Sequence, residues 1–197
     1  MIIGLGSGRC GTESLANLLN RQIGASVTHE YCSMPWEFDE KIWKWNMGRF
    51  LSGEKPYNTE IIGDVGFYWL NYVGRLLELQ ENAKFVCLKR DKQETIDSYM
   101  KKSNGLNVHP TDDRFRLFPR YSPPLKEAVG AMWDDYYRIA ESWREKYPGS
   151  FLIMDMDEAL NTSDGMMVMM EHLGIKNPII HTGIKLNVSE GDCYGNR

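Results

Sequence analysis

The chain has 197 residues, of which 42% are hydrophobic and 25% are charged, and its formal net charge is -4. These proportions predict one globular domain over residues 1–197, large enough to fold without disulfide or metal support. The negative charge argues against a protein that coats nucleic acid, because such a surface carries an excess of Lys and Arg.

The sequence also lacks the features of export or membrane insertion. Its longest apolar runs are a few residues, far short of the ~20 that a spanning helix needs. The first residues lead directly into a glycine-rich stretch, so no signal peptide is expected. The four cysteines are far apart and form no C-x-x-C pair, which is typical of a reducing compartment. We therefore expect a cytoplasmic protein.

Strand and helix patterns alternate along the chain. Short apolar segments predict five strands, at Ile2–Leu5, Ser26–Glu30, Ile61–Val65, Phe85–Leu88 and Phe151–Met154. Apolar residues at helical spacing predict helices at Ser14–Ile23, Trp69–Gln80, Asp91–Lys102, Leu125–Tyr147 and Gly165–Leu173. This alternation predicts an α/β fold of three layers, in which a parallel sheet of about five strands has helices on both faces.

One long segment interrupts the regular pattern. Residues 104–124 have no clear period and contain four prolines and three arginines. A long irregular segment in a compact domain is usually a lid or a binding loop, so a lid is expected here. Residues 84–120 hold nine Lys and Arg against five Asp and Glu. The chain is thus acidic in total and basic in the region that leads into this lid.

The most informative stretch is the glycine-rich turn that joins the first predicted strand to the first helix. Residues 4–11 contain four glycines, and Arg9 lies among them. Glycines let the backbone approach an anion closely, and a helix N-terminus favours negative charge. A guanidinium can bind two anionic oxygens at once. The turn therefore indicates an anion-binding loop rather than a simple connection, which needs only one or two glycines.

Two interpretations of this loop concern nucleotides. The spacing Gly6-x-Gly8-x-x-Gly11 matches a dinucleotide-binding turn, and Glu30 follows where an acid would hold a ribose. That pattern predicts an NAD(P)-type oxidoreductase. The same glycines have the spacing of a nucleoside triphosphate loop, but Thr12 and Glu13 replace its lysine and its metal-binding hydroxyl. This replacement argues against an ATP·Mg site.

A third interpretation keeps the geometry of a phosphate-binding loop and changes its charged groups. Arg9 supplies the positive charge from within the loop, and the Thr12 and Ser14 hydroxyls act as donors. Such a loop suits a phosphate-sulfate group bound without a metal. The acidic run 155–158 has no histidine at ligand spacing, so we expect a solvated turn there rather than a metal site.

The chain resembles a known family at several motifs. Residues 8–12, Gly8-Arg9-Cys10-Gly11-Thr12, resemble the Arg-Ser-Gly-Thr loop of sulfotransferases that use 3′-phosphoadenosine 5′-phosphosulfate (PAPS). Residues 85–91 and Ser98-Tyr99 resemble the 3′-phosphate motif of that family, an arginine at a strand end and a serine eight residues later. Residues 61–65, 151–160 and 172–175 resemble its third strand, late strand with acidic turn, and final helix.

The resemblance implies a P-loop type fold and a metal-independent, in-line transfer of a sulfuryl group. PAPS would be the donor, and the acceptor a hydroxyl or amine of a small molecule or glycan. The donor-binding residues would be Gly8, Arg9, Cys10, Gly11, Thr12, Glu13, Ser14, Arg90 and Ser98. Cys10 stands where serine is commoner and would contribute its backbone N–H. The C-terminal Gly-x-x-Gly-x-x-Lys of cytosolic members is absent, and Lys185 is the candidate substitute.

The expected catalytic groups are an arginine and a base. Arg9 would stabilise the charge that develops on the leaving phosphate oxygen. An attacking hydroxyl must lose its proton, and Glu30, with His29 beside it, ends the second predicted strand at the edge where ligands bind. Asp64 at the end of the third strand and His109 in the lid are alternatives that the sequence does not separate.

Two further alternatives stay open at this point. A non-catalytic nucleotide-binding module could have kept the loop, and the departure at Cys10 favours it slightly. Six aromatic residues in 31–50 are expected mainly in the core, although they could also form an apolar acceptor wall. The methionines of residues 166–170 are expected to pack a helix against the core.

Overall fold

The computed structural model of the protein describes residues 1–53, 59–102, 121 and 124–183. Within these ranges five strands form one sheet: β1 (Ile2–Leu5), β2 (Ala25–His29), β3 (Ile61–Val65), β4 (Lys84–Lys89) and β5 (Phe151–Asp155). The helices in the same ranges are α1 (Thr12–Asn20), α2 (Glu40–Ser52), α3 (Val73–Leu79), α4 (Lys92–Lys102), α5 (Leu125–Lys146), α6 (Met156–Asn161) and α7 (Ser163–His172). A 3-10 helix, Phe67–Tyr72, precedes α3.

The strand order is β2-β3-β1-β4-β5, and every neighbouring pair is parallel. Because β1 lies between β3 and β4, the loops after β1 and β4 leave the same edge side by side. Open α/β sheets bind their ligands at such a position. A classic dinucleotide-binding sheet places its second strand next to its first, whereas β3 separates them here. The strand order therefore does not favour the oxidoreductase.

Alternate side chains of the strands enter two cores on opposite faces of the sheet. Ile3 and Leu5 pack against residues of the 3-10 helix and α5. Ile2 and Val86 pack instead with residues of α1 and α7. The pleat of a strand sends successive side chains to opposite faces, so both faces of the sheet are covered. The predicted three-layer α/β fold is confirmed.

The predicted helices are present with shifted ends. The segment predicted at 69–80 starts earlier, as the 3-10 helix, and continues as α3. Its tight turn carries Tyr68 and Trp69 to the carboxylate of Asp64, which both side chains contact. The expectation for the methionines is confirmed at Met166, Met169 and Met170, which are fully buried on α7, whereas Met167 is 47% exposed.

Two helices, α2 and α6, were not predicted. α2 buries only Met47 and Phe50, so its sequence shows no continuous apolar stripe. The acids of 155–158 are exposed, as expected, but they begin a helix rather than form a turn. Asp155 caps α6 by accepting the backbone N–H groups of Asp157 and Glu158 at 2.9 and 3.0 Å. A carboxylate at this position satisfies donors that the first helical turn leaves open.

Several expectations concern parts of the chain outside the described residues. They are the lid at 104–124, apart from residues 121 and 124, together with His109 and Lys185. In the described ranges, no helix is both long and apolar enough to cross a membrane. The same part of the chain contains no group of three or more His, Cys, Asp or Glu side chains arranged to hold a metal ion.

Candidate functional site

The loop between β1 and α1 has an unusual backbone. Gly8, Arg9 and Gly11 all have positive φ, at 87°, 54° and 78°. A Cβ at Gly8 would meet the hydroxyl of Tyr99, and one at Gly11 would lie 2.7 Å from Leu160 Cδ1. Both positions therefore require glycine. The left-handed conformation of Arg9 costs about 1–3 kcal/mol, a strain that is typical of functional loops.

Tyr136 of α5 supports the start of this loop from the core. Its hydroxyl accepts the Gly6 N–H at 3.0 Å and donates to the carbonyl of Phe67 at 3.0 Å. The phenol is almost fully buried, so neither backbone group has water as an easy replacement. Tyr136 thus fixes the point at which the chain leaves β1.

Replacing Tyr136 by phenylalanine should lower the free energy of unfolding by about 1–3 kcal/mol, since it leaves buried polar backbone groups unsatisfied. Urea unfolding measures this change. Tyr147→Phe is a suitable control, because Tyr147 is half-buried at the end of the same helix and its ring stacks on Trp143. An unfolding midpoint for Tyr136→Phe equal to that of the control would show that the hydroxyl does not support the loop.

Two other tyrosines hold the next residue of the loop. Tyr137 donates to the carbonyl of Leu88 at 2.7 Å, and its hydroxyl lies 3.4 Å from Ser7 Oγ. Tyr99 of α4 donates to the carbonyl of Ser7 at 3.2 Å. The conformation of the loop is therefore fixed by α4 and α5 as well as by its own glycines.

Cys10 points its side chain into the core. The thiol is fully buried, and burial raises its pKa to about 11. It is therefore protonated at neutral pH, and only the backbone of Cys10 can contribute to the surface of the loop. A serine-to-cysteine exchange at such a position leaves that surface unchanged, so it no longer favours a non-catalytic module.

The first turn of α1 continues the loop. Thr12, Glu13 and Ser14 occupy it, and the N-cap residue Gly11 has no side chain that could accept from their N–H groups. The first N–H groups of a helix have no partners within the helix. Ser14 is buried, whereas Thr12 and Glu13 are half-buried.

Arg90 follows β4 and reaches the loop from the other side. Its Nη1 donates to the carbonyl of Arg9 at 3.2 Å, and its Nε pairs with Glu94 at 3.0 Å. Arg9 Nε in turn donates to Ser98 Oγ at 3.0 Å. Asp91 begins α4 by accepting the N–H of Glu94. The structure thus brings both arginines and Ser98 together at the carboxyl ends of β1 and β4.

His29 and Glu30 approach the loop from the end of β2. His29 Nε2 lies 3.3 Å from Thr12 Oγ1 in the first turn of α1. Glu30 is exposed, has φ of 52°, and donates its N–H to the carbonyl of Val65 at 2.8 Å. The structure thus places His29 against the first turn of α1 and Glu30 at the end of β2 with its side chain exposed.

Asp64, the alternative base, is completely buried. Its Oδ1 accepts from Thr28 Oγ1 at 2.6 Å and from the N–H of Tyr31 at 3.2 Å. Its Oδ2 accepts from the Tyr68 hydroxyl at 2.6 Å and from Trp69 Nε1 at 2.9 Å. Both oxygens are directed at internal donors, so Asp64 is not placed to take a proton from a bound acceptor.

The aromatic residues of 31–50 divide into two groups. Trp36, Trp43 and Phe50 pack with the larger core, as expected. Tyr31 and Phe38 are each 43% exposed, and Trp45 is 68% exposed. Tyr31 directly follows Glu30, so at least one aromatic ring lies open to solvent beside the candidate base.

Comparison with known proteins identifies the family. A family model for the sulfotransferase domain matches residues 1–161. The chain belongs to the sulfotransferase family. The matched part of this sulfotransferase contains all five strands, the glycine-rich loop and both arginines. Family membership supports an enzyme that transfers sulfuryl groups.

A solved structure shows the same fold. The crystal structure of a sulfotransferase from Alicyclobacillus acidocaldarius is similar to this sulfotransferase with a TM-score of 0.59 and 14% sequence identity. The match covers 94% of this chain and 85% of the other. No curated protein sequence matches this sulfotransferase.

Proposed function

We propose that this sulfotransferase transfers a sulfuryl group from PAPS to a hydroxyl or amine of a small-molecule or glycan acceptor. The observation that carries the proposal is the meeting of Arg9, Arg90 and Ser98 beside the glycine-rich loop. Two guanidinium groups at one sheet edge suit a donor with two separate phosphate groups. Among the described residues, Cys10, Cys32 and Cys87 are buried free thiols, which suits the proposed cytoplasmic location.

The donor would lie across the two loops. Its 5′-phosphosulfate contacts the backbone of residues 8–12 and the first turn of α1, where the helix dipole favours negative charge. Its 3′-phosphate contacts Arg90 and Ser98. Ser98 also accepts from Arg9, so it orients the guanidinium that faces the transferred group.

In the proposed reaction, the acceptor oxygen forms a bond to sulfur while the bond from sulfur to the phosphate oxygen breaks in line. The leaving oxygen gains negative charge, which the guanidinium of Arg9 stabilises. The acceptor proton passes to Glu30. The products are a sulfate ester and adenosine 3′,5′-bisphosphate, and positioning supplies much of the rate increase.

Glu30 is preferred over His29 as the base for a geometric reason. His29 Nε2 lies at hydrogen-bond distance from Thr12, whereas Glu30 is exposed at the same edge. His29 then positions Thr12 in the first turn of α1. The lid at 104–124, which the basic segment 84–120 leads into, stays a prediction. The role of His109 as an alternative base also stays a prediction.

Replacing Arg90 by alanine should weaken the binding of adenosine 3′,5′-bisphosphate about 10- to 100-fold, because a hydrogen bond to a charged group contributes about 1.5–3 kcal/mol. Fluorescence or calorimetric titration measures the affinity. Arg138→Ala is the matched control, since Arg138 makes a comparable ion pair with Asp135 on α5. If both variants bind the bisphosphate like the wild type, Arg90 does not contact the 3′-phosphate.

The activity itself is tested with PAPS that carries a labelled sulfuryl group. The purified protein is incubated with separate pools of phenols, sugars and amines, and the acceptor fraction is counted. We expect label in at least one pool and none in reactions without protein. Tight binding of the bisphosphate with no transfer to any pool would instead identify a binding module without turnover.

A further inference from the structure

We propose that Asp64 is a positioning residue, which holds the turn that presents Glu30 to the acceptor. The inference rests on the proposed role of Glu30 as the base. The turn follows β2 directly, and β2 lies next to β3, which carries Asp64. The Asp64 carboxylate is buried. It lies on the strand that is paired with β2, beside the turn that it would hold.

The turn has a backbone that ordinary side chains rarely adopt. Glu30 and Ser33 have φ of 52° and 44°, and both are in the left-handed region. Each such residue costs about 1–3 kcal/mol and persists only when its surroundings impose it. Strain at two positions within four residues means that the neighbouring contacts determine where the Glu30 carboxylate points.

Asp64 makes contacts on both sides of Glu30. Its Oδ1 accepts from Thr28 Oγ1 at 2.6 Å, two residues before Glu30, and from the N–H of Tyr31 at 3.2 Å, one residue after it. One carboxylate oxygen thus joins the strand end to the turn. Hydrogen bonds to an ionised group are roughly twice as strong as neutral ones.

A second contact extends the network to the next residue. The Tyr68 hydroxyl donates to Asp64 Oδ2 at 2.6 Å and accepts the N–H of Cys32 at 3.1 Å. Burial raises the pKa of Tyr68, and the charge of Asp64 raises it further. The phenol therefore keeps its proton and continues to donate. Trp69 Nε1 holds the same oxygen at 2.9 Å.

The hydrogen bonds of Glu30 in this part of the structure are made by its backbone. Its N–H donates to the carbonyl of Val65, and its carbonyl accepts from Ser33 Oγ at 3.2 Å. The carboxylate remains exposed. The arrangement fixes the backbone on every side of Glu30 and leaves its side chain open to a substrate, as a positioned base requires.

The test uses Thr28, because its exchange is milder than a change of Asp64. Thr28→Val keeps the branched shape and removes the donor to Asp64, whereas Thr28→Ser keeps the donor. We expect kcat for transfer from PAPS to fall about 10-fold in Thr28→Val and to return in Thr28→Ser. The KM for PAPS and the Kd of the bisphosphate should change less than about 2-fold. The expected fall in kcat is smaller than the roughly 100-fold cost of a 1 Å misplacement, because Asp64 keeps its other donors.

A double-mutant cycle with Glu30→Gln separates positioning from a general loss of structure. If Asp64 acts through Glu30, Thr28→Val has no further effect on kcat in the Glu30→Gln background. Equal effects in both backgrounds would overturn the inference. Tyr68→Phe removes a different donor from Asp64 and should give the same pattern.

The control is Tyr72→Phe, which removes a buried hydroxyl that donates to the carbonyl of Pro35 at 2.7 Å. It should reduce stability without reducing kcat. Glu30→Gln alone tests the premise: full activity in that single variant would refute the base, and with it the inference. If Glu30→Gln is inactive but Thr28→Val has the kcat of the wild type, only the role of Asp64 is refuted.

Discussion

Alanine in place of Arg9 is expected to lower kcat by about 10²–10³-fold, the usual cost of removing a donor that stabilises developing negative charge. In the structure the guanidinium is held by Ser98 and its backbone by Arg90. It is thus held in place before the donor binds. The measurement is transfer of the labelled sulfuryl group at saturating PAPS.

Two companion variants sharpen this prediction. Arg9→Lys keeps the charge but not the planar, bidentate geometry, so its kcat should lie between those of alanine and the wild type. Arg21→Ala is the control, since Arg21 is exposed at the other end of α1. If Arg9→Ala keeps kcat within about 2-fold of the control, Arg9 does not take part in the chemical step.

Glutamine in place of Glu30 is expected to lower kcat by about 10²–10⁴-fold, the usual contribution of a general base. Binding of the bisphosphate should be unchanged, because in the proposed complex the donor phosphates contact the loops after β1 and β4 rather than the turn after β2. The measurement is transfer of the labelled sulfuryl group at saturating PAPS, with the affinity for the bisphosphate determined in parallel.

The comparison with His29 decides between the two neighbouring groups. His29→Ala should reduce activity less than Glu30→Gln, because His29 contacts Thr12 and is not the proposed base. Glu37→Gln, a change of an exposed acid that follows in the sequence, is the control. A large loss in His29→Ala together with full activity in Glu30→Gln would assign the base to His29.

The sheet could be predicted from the sequence because buried parallel strands are short apolar runs. The glycine-rich loop was equally clear, since positive φ at Gly8 and Gly11 requires glycine. α2 was missed because only Met47 and Phe50 of its residues are buried. The spacing of apolar residues cannot predict a helix in which so few residues are buried.

The hydrogen bonds around the site lie beyond the reach of a sequence pattern. Tyr136 falls on the apolar face expected for α5, yet its hydroxyl binds Gly6, 130 residues away in the chain. The hydrogen bonds of Asp64 could not be predicted either. Its position at the end of a strand suggested a base, but Tyr68 and Trp69 pack over its carboxylate and bury it. Only the tertiary structure shows which donors meet a carboxylate.

Calorimetric titration with adenosine 3′,5′-bisphosphate tests whether this loop binds a 3′-phosphorylated donor of sulfuryl groups. We predict a single site in the wild type, weaker binding in Arg90→Ala, and much weaker binding of NAD and ATP. The distinction depends on the 3′-phosphate, which NAD and ATP lack. Binding of NAD with no measurable binding of the bisphosphate would show that the loop is not a site for such a donor.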